Sequence, residues 1–211
     1  ISENDLRYKL DLGRKQNNGL FLDMRLGRQW VRQQAAGKRV LNLFAYTCGF
    51  SVAAIAGGAT RVVNLDMARA ALTRGRDNHR LNQHDLSQVE FLGHELFKSW
   101  GKVRKSGPYD LIIIDPPSFQ KGSFALTRDY QKILRKLPEL LNGGGQVLAC
   151  VKTVPLGQVA GQRILLSLQP ELEKAAATAL TLEDEDLCNW APGLSLLSMQ
   201  HEVQYSRIYR S

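Results

Sequence analysis

The sequence predicts an α/β fold built on one mostly parallel sheet, and three observations carry that prediction. Between residues 38 and 151, apolar runs of strand length alternate with segments of helix length, the order that generates a parallel sheet with crossover helices. The most apolar run, Leu111-Ile112-Ile113-Ile114, is short and β-branched, as expected of a strand covered on both faces. Several of these runs end at or near an acidic residue, namely Asp66, Glu95 and Asp115. That puts reactive side chains along the carboxyl edge, where open α/β sheets bind ligands.

Taken in order, residues 5–11 alternate around Leu6-Arg7-Tyr8-Lys9-Leu10, the period of a half-exposed strand. Asn17-Asn18-Gly19 signals a tight turn and Leu20-Phe21-Leu22 resumes a strand. Residues 1–25 are therefore expected to form a β-hairpin extension ahead of a main domain over 26–211. A helix is predicted over 25–36, with Leu26, Trp30 and Val31 on one stripe and Gly37 just past its end. Strands follow at 40–44 and 61–65, separated by a small-residue helix at 50–56. Next come a helix at 68–81, a strand at 89–92, a basic helix or loop at 96–106 and the buried strand at 111–114. A helix at 128–141 is expected to break at Asn142-Gly143-Gly144-Gly145, before a buried strand at 146–151. The remainder suggests a helix at 157–168 and a last strand at 203–209.

A chain of 211 residues can bury a full core. No apolar run approaches the length of a membrane span, so a membrane protein is not expected. The three cysteines, Cys48, Cys150 and Cys188, are scattered without metal-ligand spacing. They suit a reducing cytoplasm and point to neither a disulfide framework nor a metal site. The net charge is +8, and the basic residues are segregated. Arg7, Lys9, Arg14, Lys15, Arg25, Arg28 and Arg32 crowd the start, Lys98, Lys102, Arg104 and Lys105 form a second cluster, and acidic residues gather at 183–186. Such segregation favours a polyanionic partner, nucleic acid above all.

Residues 38–66 form the organising βαβ unit. Its turn, Ala45-Tyr46-Thr47-Cys48-Gly49, keeps one glycine and lacks G-x-G-x-x-G. A pyrophosphate needs several bare amides there, so a dinucleotide fits poorly and a nucleoside without phosphates, such as S-adenosylmethionine, fits better. Asp66 is placed to accept from ribose hydroxyls. Glu95 is placed to accept from an adenine amine with the backbone of Leu96 beside it, and Phe44 and Met67 to flank the base. Asp115-Pro116-Pro117 cannot continue a sheet, because proline lacks the ladder amide. A carboxylate and outward carbonyls there can hold a planar base on which Phe119 stacks. Cys48 and Cys150 are each weighed as a thiolate nucleophile and read as small hydrophobes.

Residues 37–47, Gly57-Gly58-Ala59, Asp66-Met67, Asp115-Pro116-Pro117-Ser118-Phe119 and Gly19-Leu20-Phe21-Leu22-Asp23-Met24-Arg25 together resemble the bacterial large-subunit rRNA methyltransferases, both the guanine-N7 and the cytosine-C5 members. The resemblance runs from about Leu6 to Val151. It implies a Rossmann-like class I methyltransferase sheet with an antiparallel last strand, S-adenosylmethionine as donor and 23S rRNA as acceptor. It also implies donor contacts from Phe21, Asp23, Arg25, Asn42, Phe44, Ala45, Tyr46, Thr47, Gly49, Asp66, Met67, Glu95 and Leu96. Asp115, Pro116, Pro117 and Phe119 would meet the target base. Two departures stand out: Lys152 falls where cytosine-C5 members carry their cysteine, with Cys150 two residues early, and Glu95 replaces the family's Asp. The first favours guanine over cytosine; cytosine-C5 chemistry through Cys150 and a catalytically silent RNA-binding module are the alternatives. The family's accessory RNA-binding domain is not matched, so either the chain is a fragment or its hairpin and basic faces capture RNA.

Overall fold

A computed structural model describes residues 1–11, 13, 18–117, 119–120, 124–150, 181–182 and 194–198. By the density of its internal contacts the chain divides into two units, Ile1–Ser106 and Gly107–Ser211.

The first unit opens with a hairpin, though not the one the sequence suggested. β1 (Ser2–Glu3) pairs antiparallel with β2 (Leu6–Arg7). Asn4 and Asp5 form the turn, at φ 48° and 63°, the left-handed pair that a two-residue hairpin requires and that Asn and Asp tolerate. The expected alternation is nevertheless real, since Leu6 and Tyr8 are buried and Arg7 is exposed. The second expected strand at 20–22 is absent: Leu22–Met24 is a single 3-10 turn leading into α1 (Arg25–Gln34). Asn17 lies outside the described residues. Asn18 and Gly19 still bring the chain back, with Asn18 O accepting from Asp11 N at 2.9 Å.

β3 (Arg39–Leu43), β4 (Arg61–Leu65) and β5 (Val89–Leu92) are parallel, with β4 in the middle. α2 (Gly49–Ala56) is apolar nearly all round and buries Phe50, Val52, Ala53 and Ala54. Its small residues let α1 come close: a Cβ on Gly57 would sit 2.0 Å from Arg32 O. α3 (Arg69–Leu81) carries its arginines outward as expected, and α4 (Trp100–Ser106) fills the basic segment and buries Val103.

The second unit holds β6 (Tyr109–Ile114), whose Leu111, Ile112, Ile113 and Ile114 are all fully buried; each such side chain contributes about 1.5–3 kcal/mol. The hairpin β7 (Phe119–Gln120) and β8 (Phe124–Ala125) follows. The helix expected over 128–141 is two helices, α5 (Leu126–Leu134) and α6 (Leu137–Leu140), because Pro138 starts a new first turn. The glycines at 143–145 do not stop the next strand. They lie inside β9 (Leu141–Cys150), parallel to β6, where the pairing jumps from Tyr109↔Leu141 to Leu111↔Gln146. Glycine makes that bulge accessible, with Gly144 at φ 77°. β10 (Thr181–Leu182) pairs with β11 (Leu194–Ser198), which runs antiparallel to β9, in line with the antiparallel final strand expected. The helix at 157–168 and strand at 203–209 lie outside the described residues.

The N-terminal hairpin is held to α1 by a buried ion pair. Arg28 donates to both carboxylate oxygens of Glu3, at 2.7 Å each, and to Phe21 O at 2.8 Å. Arg28 is 3% exposed, so it is removed from the basic N-terminal face that the sequence suggested for RNA. Truncating one partner of such a pair leaves an uncompensated buried charge. Arg28→Ala is therefore expected to cost about 3–5 kcal/mol, read as a lowered urea midpoint with an unchanged m-value.

Candidate functional site

The turn between β3 and α2 is the most strained stretch among the described residues. Phe44, Tyr46 and Cys48 adopt φ of 57°, 47° and 61°, and none is glycine. Such conformations cost on the order of 1–3 kcal/mol each and persist only where the surroundings hold them. Here they do. Asp66, ending β4, accepts from Tyr46 N at 2.8 Å through one carboxylate oxygen and from Ala68 N at 2.8 Å through the other. Ala45 N donates to Leu65 O and Cys48 N to Ala45 O. Thr47 Oγ1 donates to Gly19 O, and Asn78 Nδ2 donates to Thr47 O at 3.0 Å. The amides of Ala45, Tyr46 and Cys48 are thus occupied within the protein, which leaves the turn poorly equipped for a pyrophosphate, as its sequence predicted.

Burial pushes the Asp66 carboxyl above the usual range, and the two backbone donors oppose that shift. A carboxylate has about four acceptor positions, so two amides do not exhaust it. Glu95 Oε1 accepts from Phe97 N at 2.8 Å, capping the 3-10 turn Leu96–Lys98, and the residue remains half-buried. Leu96 is buried at that position and Met67 is exposed. Phe21 lies against Tyr46 with ring centroids 5.5 Å apart, so the Gly19–Arg25 segment does meet the turn. Arg25 stands exposed at the first position of α1 and Asp23 lies in the preceding 3-10 turn. Gly49 opens α2, where a Cβ would meet Leu20 Cδ1 at 3.1 Å. All of these belong to the first unit.

Asp115, Pro116 and Pro117 follow β6 in the second unit, with Asp115 half-buried, Pro116 buried and Pro117 exposed; Phe119 begins β7. Cys150 ends β9 at 2% exposure and Cys48 is fully buried. Desolvation drives the Cys48 thiol far above its ordinary range.

Asn42, expected near a ligand, is 1% exposed and acts beneath the turn instead. It donates to Asn64 Oδ1 at 3.0 Å, Asn64 Nδ2 donates to Ser51 Oγ at 2.9 Å, and Ser51 Oγ pairs with His79 Nε2 at 2.9 Å. His79 Nδ1 closes the chain on His84 Nδ1 at 3.0 Å. This buried network joins β3, β4, α2 and α3 directly under the turn. Sequence reading missed it because Asn64 and His79 sit in segments whose neighbours read simply as strand and helix. Gly75 was missed too: a Cβ there would lie 2.3 Å from Cys48 Sγ.

Two outcomes follow from this packing. Gly75→Ala should lower stability by about 1–3 kcal/mol and displace the turn, seen as changed amide shifts for Tyr46 to Gly49. His79 is held down to about 3 by desolvation first and by His84 second. An unfolded histidine takes a proton near pH 6.5 and the folded one does not. Its contribution is therefore present above about 6.5 and lost at about 1.4 kcal/mol per pH unit as pH falls toward 3. Urea titrations should show that slope, and His79→Asn should flatten it.

Among the described residues no helix is long and apolar enough to cross a membrane, and no cluster of three His, Cys, Asp or Glu could hold a metal. Comparison with known proteins completes the description. Residues 1–170 match the model of the S-adenosylmethionine-dependent methyltransferase family. Over 152 residues, 70% of this chain and 38% of the relative, the chain is 38% identical to ribosomal RNA large subunit methyltransferase I of Aeromonas salmonicida. It thus spans about two fifths of that relative's length. A structure assigned as a methyltransferase and solved with SAH superposes at TM-score 0.77 and 28% identity, covering 93% of this chain and 54% of that one. A separate likeness is also present: 66 residues, 31% of this chain, are 79% identical to 29% of the urease accessory protein UreF of Janthinobacterium sp. (strain Marseille). On the family match and the Rossmann-like fold that goes with it, the chain belongs to the S-adenosylmethionine-dependent methyltransferases.

Proposed function

We propose that the chain binds S-adenosylmethionine across the carboxyl ends of β3, β4 and β5 and transfers its methyl group to a base of RNA, 23S rRNA being the favoured substrate. The observation that carries this reading is the Asp66 carboxylate. It is oriented by two backbone amides beside a turn that has few amides to spare for phosphate. Its remaining acceptor positions suit ribose hydroxyls, and the remaining oxygen of Glu95 suits the adenine amine beside the Leu96 backbone. Phe44 and Met67 flank the base, residues 44–49 face the methionine and ribose, and Phe21, Asp23 and Arg25 line the mouth. Asp115, the carbonyls around Pro116 and Pro117, and Phe119 hold the acceptor base.

The sulfonium methyl is already electrophilic, so alignment supplies most of the rate. A ring nitrogen of guanine attacks the methyl carbon, the carbon–sulfur bond breaks and S-adenosylhomocysteine leaves; no general base is required. Guanine is favoured over cytosine because cytosine-C5 chemistry needs an accessible thiolate. Cys48 and Cys150, the free cysteines among the described residues, are both buried.

The UreF likeness favours a second reading of extent. The methyltransferase and UreF matches cover 70% and 31% of the chain. On that reading the chain is a donor-binding methyltransferase core without full activity.

Calorimetry with S-adenosylmethionine is expected to show binding that Asp66→Ala weakens roughly tenfold or more, since hydrogen bonds to a charged group contribute about 1.5–3 kcal/mol. Transfer of labelled methyl to unmodified 23S rRNA, followed by nucleoside mass analysis, should show methylguanine and survive Cys150→Ala. Methylcytosine lost in Cys150→Ala would establish the cytosine reading, and binding without transfer the silent one.

A further inference from the structure

A cleft of about 410 Å³ opens in the first unit, lined by Arg39, Arg61, Glu90, Leu92, Lys102, Lys105 and Ser106. It lies within the roughly 300–1,000 Å³ typical of ligand sites. Arg39 and Arg61 are the first residues of β3 and β4 and stand directly in register. The cleft therefore begins at the end of the strands opposite the donor turn, then runs along β5 against α4. Lys102 and Lys105 reach it from α4 and are exposed.

Its charge is unbalanced. The lining holds four cations and one carboxylate, and of these Lys102 and Lys105 stand exposed. Glu90 takes Arg61 at 2.7 Å and Ser106 Oγ at 3.0 and 3.2 Å. Lys102 Nζ lies 2.6 Å from His94 Nε2. The basic cluster at 98–105, which the donor site does not use, is thus given a definite place.

We propose that this cleft binds a phosphodiester of the RNA backbone, anchoring the strand remote from the donor turn. The proposal rests on the RNA reading above. A phosphate group is the shared chemistry, and RNA rather than free phosphate is its source, because Lys102 and Lys105 stand exposed one turn apart on α4, where an extended strand can meet both.

The full chain and its Lys102→Gln/Lys105→Gln variant would be titrated with unmodified 23S rRNA transcript across a salt series, with inorganic phosphate as competitor and S-adenosylmethionine binding measured in parallel. Both lysines are exposed, so the fold should be kept. The variant is expected to bind RNA roughly tenfold or more weakly near 0.1 M salt, with a log–log slope shallower by about 1–2, and to bind the donor unchanged. A Lys9→Gln/Lys136→Gln control removes the same charge elsewhere and should have much the smaller effect. Equal RNA affinity and slope in parent and double variant would overturn the site, as would an equal loss in the control. If the parent binds the donor but no RNA, the backbone assignment falls and the donor reading stands. If it binds RNA through these lysines but no donor, the donor reading falls and the cleft stands.

Discussion

The hydrogen bonds from Tyr46 N and Ala68 N to the Asp66 carboxylate are the constraint on which the first unit depends. A turn with three non-glycine residues in the left-handed region would relax if it were free. It is kept in place by one carboxylate at the tip of the neighbouring strand, and that carboxylate is itself fixed by being used twice. One acidic residue thereby shapes the loop and presents acceptor positions above it. Burial raises the proton affinity of Asp66, and the two amides oppose that rise without cancelling it.

Beneath the turn, polar groups are buried where apolar ones would pack more simply. Asn42, Asn64, Ser51 and His79 are each at most 1% exposed, yet their side chains are joined end to end. In a low-dielectric interior a complete chain of this kind ties its elements into one arrangement, whereas a missing partner would be costly. The network joins two strands and two helices, so the turn rests on a rigid support. Close approach adds to this: Gly75 lets α3 press against Cys48, and Gly57 lets α2 end against α1.

The basic surface is more selective than a charge count implies. Arg28 is spent on Glu3, Arg32 donates to Asn4 O, and Arg74 pairs with Asp11. These cations fasten the N-terminal segment to α1 and α3. Lys102 and Lys105 instead stand exposed at a cleft that Arg39 and Arg61 also line. Charges that look alike in the sequence therefore divide into structural and exposed sets, and only packing separates them.

Much of this was legible in the sequence. Parallel strands alternating with helices, the buried β6, the turn after β3 and the acid ending β4 follow from short-range patterns, because periodicity and turn chemistry are set by neighbours along the chain. What failed depended on partners distant in sequence. The N-terminal hairpin turns at Asn4-Asp5, where it carries Glu3 against Arg28, 25 residues away in sequence. The glycines before Gln146 bulge within β9, since pairing with β6 continues across them. Asn42 looked like a ligand contact from its place at a strand end, but its amide was claimed by Asn64 on the next strand. Sequence alone determined which elements form and where the acids fall; tertiary structure decided which polar groups remain available, because that depends on what packs against each of them.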